Sequence, residues 1–121
     1  MAKKILILED DPNIVDYLSD LFQENGYETL TASDGNEGLA KVKEEKPDLI
    51  TLDVQMPERW GTIFKRILNK KEEFKDIPVV VISGIEKSEA LEKSKGVVAY
   101  LGKPFDRDEL LKIVKNTIGD A

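Results

Sequence analysis

Short apolar runs that alternate with amphipathic stretches across brief connections predict an α/β fold, a doubly wound parallel sheet covered by helices on both faces. Three observations carry this expectation. Five runs rich in aliphatic residues start near Lys4, Glu28, Asp48, Pro78 and Val97, and stretches of helical periodicity or helix-forming composition stand between and after them. The connections are short, with no linker, low-complexity segment or sequence repeat. Finally, 121 residues suit one compact core, so a single domain over 1–121 is expected.

The elements follow in order. Lys4 to Leu8 is continuously apolar after its first residue and ends in Glu9-Asp10-Asp11, the pattern of a strand buried on both faces. Asp11-Pro12 supplies an N-cap and a first-turn proline. Ile14, Leu18, Leu21 and Phe22 then form an apolar stripe that Gly26 ends. Glu28 to Thr31 is the second strand. Ser33 or Asp34 caps a helix through Leu39, Ala40 and Val42 that must stop before Pro47. Asp48 to Leu52 is the third strand, followed by Asp53 and a proline-bearing loop from Val54 to Trp60. Ile63, Phe64, Ile67 and Leu68 mark the third helical stripe. Pro78 to Ile82 is β-branched and apolar, which places it in the sheet centre, and Ser83-Gly84 ends it. Ser88 to Lys95 is a short helix candidate and Val97 to Leu101 the fifth strand. Gly102-Lys103-Pro104-Phe105 then turns the chain, with Lys103-Pro104 a candidate cis peptide. Asp106 and Glu109 form a capping box for a last helix carrying Leu110, Leu111, Val114 and Ile118. The result is a (βα)5 pattern.

Composition limits the chemistry. Eighteen basic against twenty-four acidic residues give a net charge of −6, the wrong sign for holding nucleic-acid phosphates, so no direct nucleic-acid partner is expected. The absence of cysteine and histidine excludes disulfides, thiol nucleophiles, imidazole acid-base catalysis and Cys- or His-ligated metals. The apolar runs are too short for a membrane helix, and the Lys3-Lys4 start lacks a signal peptide's apolar region. A cytoplasmic location without membrane contact follows as the expectation. Carboxylates, hydroxyls, lysines and backbone remain, an inventory suited to hard, oxygen-bound cations and to a carboxylate nucleophile.

In an open parallel sheet the ligand site lies beyond the carboxyl ends of the strands, where strand order reverses. Glu9 and Asp10 close the first strand, Asp53 the third and Ser83 the fourth, while Lys103 follows the fifth. Carboxylates gathered there repel one another, and a magnesium ion resolves the repulsion by taking carboxylate, phosphate and water oxygens. Glu9 and Asp10 read as metal holders, with the backbone carbonyl of Gln55 completing the shell. Asp53 reads as a nucleophile able to form an aspartyl phosphate. Ser83 would donate to one phosphate oxygen and Lys103 would pair with another. Asp11 reads as a helix cap.

Four motifs stand together: Ile5-Leu6-Ile7-Leu8-Glu9-Asp10-Asp11; Leu52-Asp53-Val54-Gln55-Met56-Pro57 with Gly61; Val81-Ile82-Ser83-Gly84; and Tyr100-Leu101-Gly102-Lys103-Pro104-Phe105. In combination they resemble the receiver domain of two-component response regulators, over essentially the whole chain. The resemblance implies a flavodoxin-like receiver fold with strand order 2-1-3-4-5. It implies phosphoryl transfer to Asp53 from a partner histidine kinase or histidine phosphotransfer protein, with Mg2+. It also implies metal binding by Glu9 and Asp10, Ser83 as switch hydroxyl, Tyr100 as switch aromatic and Lys103 as phosphate partner.

On this reading the chain is a phosphorylatable signalling domain, not an enzyme acting on a separate substrate, and it changes its surface toward a downstream protein. Trp60 stands where the family usually has a small or acidic residue and is expected beside the site or at a partner contact. Gly84 replaces a common alanine. Val98-Ala99 lacks the acidic pair that dimerising transcription-factor regulators carry, so a monomer is expected. The alternatives are a receiver piece of a multidomain regulator and a flavodoxin-like small-molecule binder. The latter wants a glycine- or hydroxyl-rich phosphate loop after the first strand, where this chain has Glu9-Asp10-Asp11.

Overall fold

The computed structural model describes residues 2–53, 60–84 and 96–121, the side chains of 60–63 excepted. Its strands are β1 (Lys4–Leu8), β2 (Glu28–Ala32), β3 (Leu49–Leu52), β4 (Val79–Ser83) and β5 (Val97–Gly102). Its helices are α1 (Pro12–Glu24), α2 (Gly35–Glu45), α3 (Trp60–Asn69) and α4 (Arg107–Ile118). The helix expected over Ser88 to Lys95 lies outside the described residues.

All neighbouring strands pair in parallel, in the order β2-β1-β3-β4-β5. The order reverses between β1 and β3: the chain steps from β1 outward to β2, then returns past β1 to lay down β3. Right-handed crossovers put the helices of the two directions on opposite faces of such a sheet. Two cores result. On one face Leu6, Leu8, Ile50, Leu52, Val79 and Val81 pack with Val42 of α2 and Phe64 and Leu68 of α3. On the other, Ile5, Ile7, Leu49, Val80 and Ile82 pack with Leu18, Leu21 and Phe22 of α1 and Leu110 and Val114 of α4. β1, β3, β4 and β5 each serve both cores because successive side chains point to opposite faces, whereas β2 gives Leu30 and Ala32 to the first alone. Hence the central strands β3 and β4 are buried throughout and β1 nearly so, whereas the edge strands β2 and β5 are partly exposed.

Several boundaries move by a residue from the sequence expectation. The cap of α2 is Asp34, which accepts from the Glu37 N–H. Asp48 lies before β3, where its carboxylate accepts the Lys4 N–H at 2.8 Å. Trp60, expected in the loop, is the first residue of α3. Asp106 caps α4 by accepting from the N–H groups of Asp108 and Glu109. No helix among the described residues is long and apolar enough to cross a membrane.

Candidate phosphoacceptor and metal site

The carboxyl edge of the sheet is built from the backbone outward. Beyond β1 the ladder continues, the Glu9 N–H donating to Ala32 O at 3.1 Å and the Asp53 N–H to Leu8 O at 3.0 Å. These bonds hold Glu9 and Asp53 side by side at the reversal point. Both are buried, at 3% and 4% exposure, while Asp10 is exposed. One oxygen of each of Glu9, Asp10 and Asp53 lies within 4.8 Å of the others.

Glu9 is caged. Its Oε2 accepts the Asp10 and Asp11 N–H groups at 3.0 and 3.2 Å, and its Oε1 accepts from Lys103 Nζ at 2.8 Å. The same ammonium reaches Asp53 Oδ2 at 3.3 Å. The Lys103 backbone is tied to β4, its N–H donating to Ser83 O at 2.9 Å; the expected cis Lys103-Pro104 bond is present. Burial drives the Glu9 pKa up to about 7, with the neighbouring Asp53 adding and Lys103 and the Asp11 N–H opposing. For Lys103, burial favours the neutral form but is outweighed by the hydrogen bond to Glu9 and the charge of Asp53, so its pKa is raised. Among the described residues, then, one ammonium faces three carboxylates, and the site is short of positive charge.

That deficit and the donor set fit magnesium. The ion takes hard oxygen ligands at about 2.1 Å in an octahedron, so opposite ligands stand about 4.2 Å apart, within slight contraction of the spacing found. Glu9, Asp10 and Asp53 would hold it. Gln55, assigned a carbonyl in the metal shell, lies outside the described residues, as does the side chain of Trp60.

Ser83 is fully buried at the end of β4, opposite Gly102 in register. Tyr100 stands opposite Val81 and packs on the core under α2 and α3, the face to which strand alternation also assigns Ser83. The structure thus brings Glu9, Asp10, Asp53, Ser83 and Lys103 to one edge, with Tyr100 one strand over and deeper. Asp11 is the cap of α1, its carboxylate accepting the Asn13 N–H at 2.9 Å.

Sequence reading missed the wall beside Lys103. Tyr17 and Phe105 meet edge to face at 5.8 Å and, with Asn13, Ile14 and Pro104, line a cleft next to Lys103. The available signal was Tyr17 itself, a large aromatic off the buried stripe of α1 and 48% exposed.

Comparison with known proteins agrees with this geometry. Residues 5–115 match the family model of the response regulator receiver domain. The polar-differentiation response regulator DivK of Brucella ovis is 32% identical over 123 residues, covering all of both chains. Chemotaxis protein CheY4 of Vibrio cholerae superposes with a TM-score of 0.87 at 31% identity, covering 97% of this chain and 99% of that one. The CheY-like receiver domain protein of Methanospirillum hungatei gives 0.88 at 28% identity, covering 98% and 94%.

Proposed function

Because the chain belongs to the response regulator receiver domain family, whose members are phosphoacceptor signalling switches, we propose that Asp53 is its phosphoacceptor. The observation that carries this reading is Lys103 Nζ lodged between Glu9 and Asp53 at the reversal of strand order. An ammonium so placed meets an equatorial phosphoryl oxygen when the acceptor carboxylate lies beside it.

An Asp53 oxygen attacks the phosphorus of a phosphohistidine on a partner kinase or phosphotransfer protein. The new O–P bond forms as the N–P bond breaks, and the departing imidazole takes up a proton from solvent. Glu9, Asp10 and Asp53 would hold Mg2+, whose charge would offset that of the phosphoryl group. Lys103 pairs with one phosphoryl oxygen and Ser83 donates to another. The chain itself thus supplies the groups that promote transfer to and hydrolysis from Asp53. Its output is a changed surface toward a downstream protein, through Ser83 and Tyr100. A monomeric, cytoplasmic, single receiver domain over 1–121 completes the reading.

Intact mass after incubation with a small acyl phosphate tests it. Wild type gains one phosphoryl group with magnesium and none in chelator. Asp53→Asn gains none in either condition, and an unchanged gain in Asp53→Asn overturns the assignment.

A further inference from the structure

The carboxyl end of α4 lies at the amino edge of the sheet, away from the candidate site. Gly119 closes the helix: at φ +80° its N–H donates to Lys115 O at 2.9 Å, and its left-handed conformation turns the chain off the helix axis. The last carbonyls of a helix have no partner within it. Here the donors come from the first quarter of the chain. Lys3, the residue before β1, donates from Nζ to Ile118 O, 115 residues away in sequence. Tyr27, the residue before β2, donates from its hydroxyl to Gly119 O at 2.6 Å, across 92 residues.

Both donors are anchored beside the sheet. Lys3 O accepts the Glu28 N–H at 2.9 Å, continuing the pairing of β1 with β2. Tyr27 is buried, its N–H donating to Phe22 O at 3.0 Å and its ring meeting Phe22 edge to face at 6.5 Å. The tail then passes the turn between α1 and β2, where a Cβ on Gly26 would stand 3.1 Å from the Ala121 Cβ. Burial raises the Tyr27 pKa, with the charge of Asp120 adding, so the hydroxyl keeps its proton and remains a donor. Upstream, Leu110 and Val114 fix α4 to the core, but no residue of α4 after Val114 is buried.

We propose that residues 118–121 form a latch, in which Lys3 and Tyr27 hold the end of α4 on the amino edge of the sheet. With no buried side chain after Val114, these two polar contacts carry the docking of that end. The last turn of α4 and the tail therefore open together, as one unit distinct from the core.

Native-state hydrogen exchange of the unphosphorylated protein tests this. Tyr27→Phe keeps the ring and removes the donor. The amides from Lys115 to Gly119 are expected to exchange about tenfold faster in it, while those of Leu110, β1 and β3 hold their rates. Lys3→Met should quicken the same amides. In the double variant the acceleration is expected to fall short of the product of the two single effects, because a tail freed by one loss leaves little for the other to release. Two independent caps would multiply. Unchanged Lys115 to Gly119 amides, multiplicative effects, or an acceleration shared equally by β1 and β3 overturns the proposal.

Discussion

Lys103 sits 2.8 Å from Glu9 and 3.3 Å from Asp53, so its ammonium belongs first to the carboxylate caged by the backbone and second to the proposed acceptor. Glu9 has no exposed surface to speak of and two N–H donors already on Oε2. It is a fixed anchor. Lys103 is held beside Asp53 without being fully committed to it, which keeps an ammonium ready for a phosphoryl oxygen.

Removing that ammonium strands two buried carboxylates. Lys103→Met is expected to destabilise the metal-free protein by about 3 kcal/mol, the lower end for breaking a buried pair because Glu9 can take up a proton. Magnesium should then stabilise the variant more than wild type, since it supplies the missing charge. Chemical denaturation in chelator and in magnesium measures both, and a variant as stable as wild type in chelator contradicts the expectation.

The Glu9 pKa gives a pH dependence of defined sign. A carboxyl raised from 4.5 to about 7 binds more protons folded than unfolded, so its contribution to stability is greatest below pH 4.5 and is lost as pH rises to 7. The full change is about 3 kcal/mol. In chelator, Glu9→Gln should flatten this slope between pH 4.5 and 7, as read from denaturation midpoints. A slope that survives the substitution assigns the titration elsewhere.

Ser83 and Tyr100 lie toward one face of the sheet, on adjacent strands. Ser83→Ala is expected to keep phosphoryl incorporation at Asp53 while reducing the amide-shift response at Tyr100 to beryllofluoride, a phosphoryl mimic. Coupling of about 1–3 kcal/mol is within reach of one hydroxyl. An undiminished Tyr100 response in the variant removes Ser83 from the switch.

Thr51 carries a hydroxyl buried in β3 with no hydrogen-bond partner among the described residues. An unsatisfied buried hydroxyl costs about 1–3 kcal/mol. Thr51→Val keeps the β-branched shape in a fully buried strand and should raise the thermal midpoint, with phosphorylation of Asp53 unchanged. A lowered midpoint would show that the hydroxyl is satisfied.

The five strands, the stripes that fill both cores and the strand-end placement of Glu9, Asp53, Ser83 and Lys103 were legible in sequence for one physical reason. A strand buried on both faces needs an unbroken apolar run, so the first polar residue after the run marks where the strand leaves the core. Short connections then bring all such ends to one edge. The four motifs added the family, and with it the strand order. What periodicity cannot contain is a partner chosen in three dimensions. That Lys103 binds Glu9 more closely than Asp53 depends on the backbone bonds of the Lys103 turn and on the caging of Glu9 by two N–H groups. That Lys65 turns inward depends on Gly96, thirty-one residues on, where a side chain would stand 2.9 Å from the ammonium. That Val97 and Tyr100 share a face depends on one unpaired residue in a ladder, a feature that alternation along β5 alone would assign the other way.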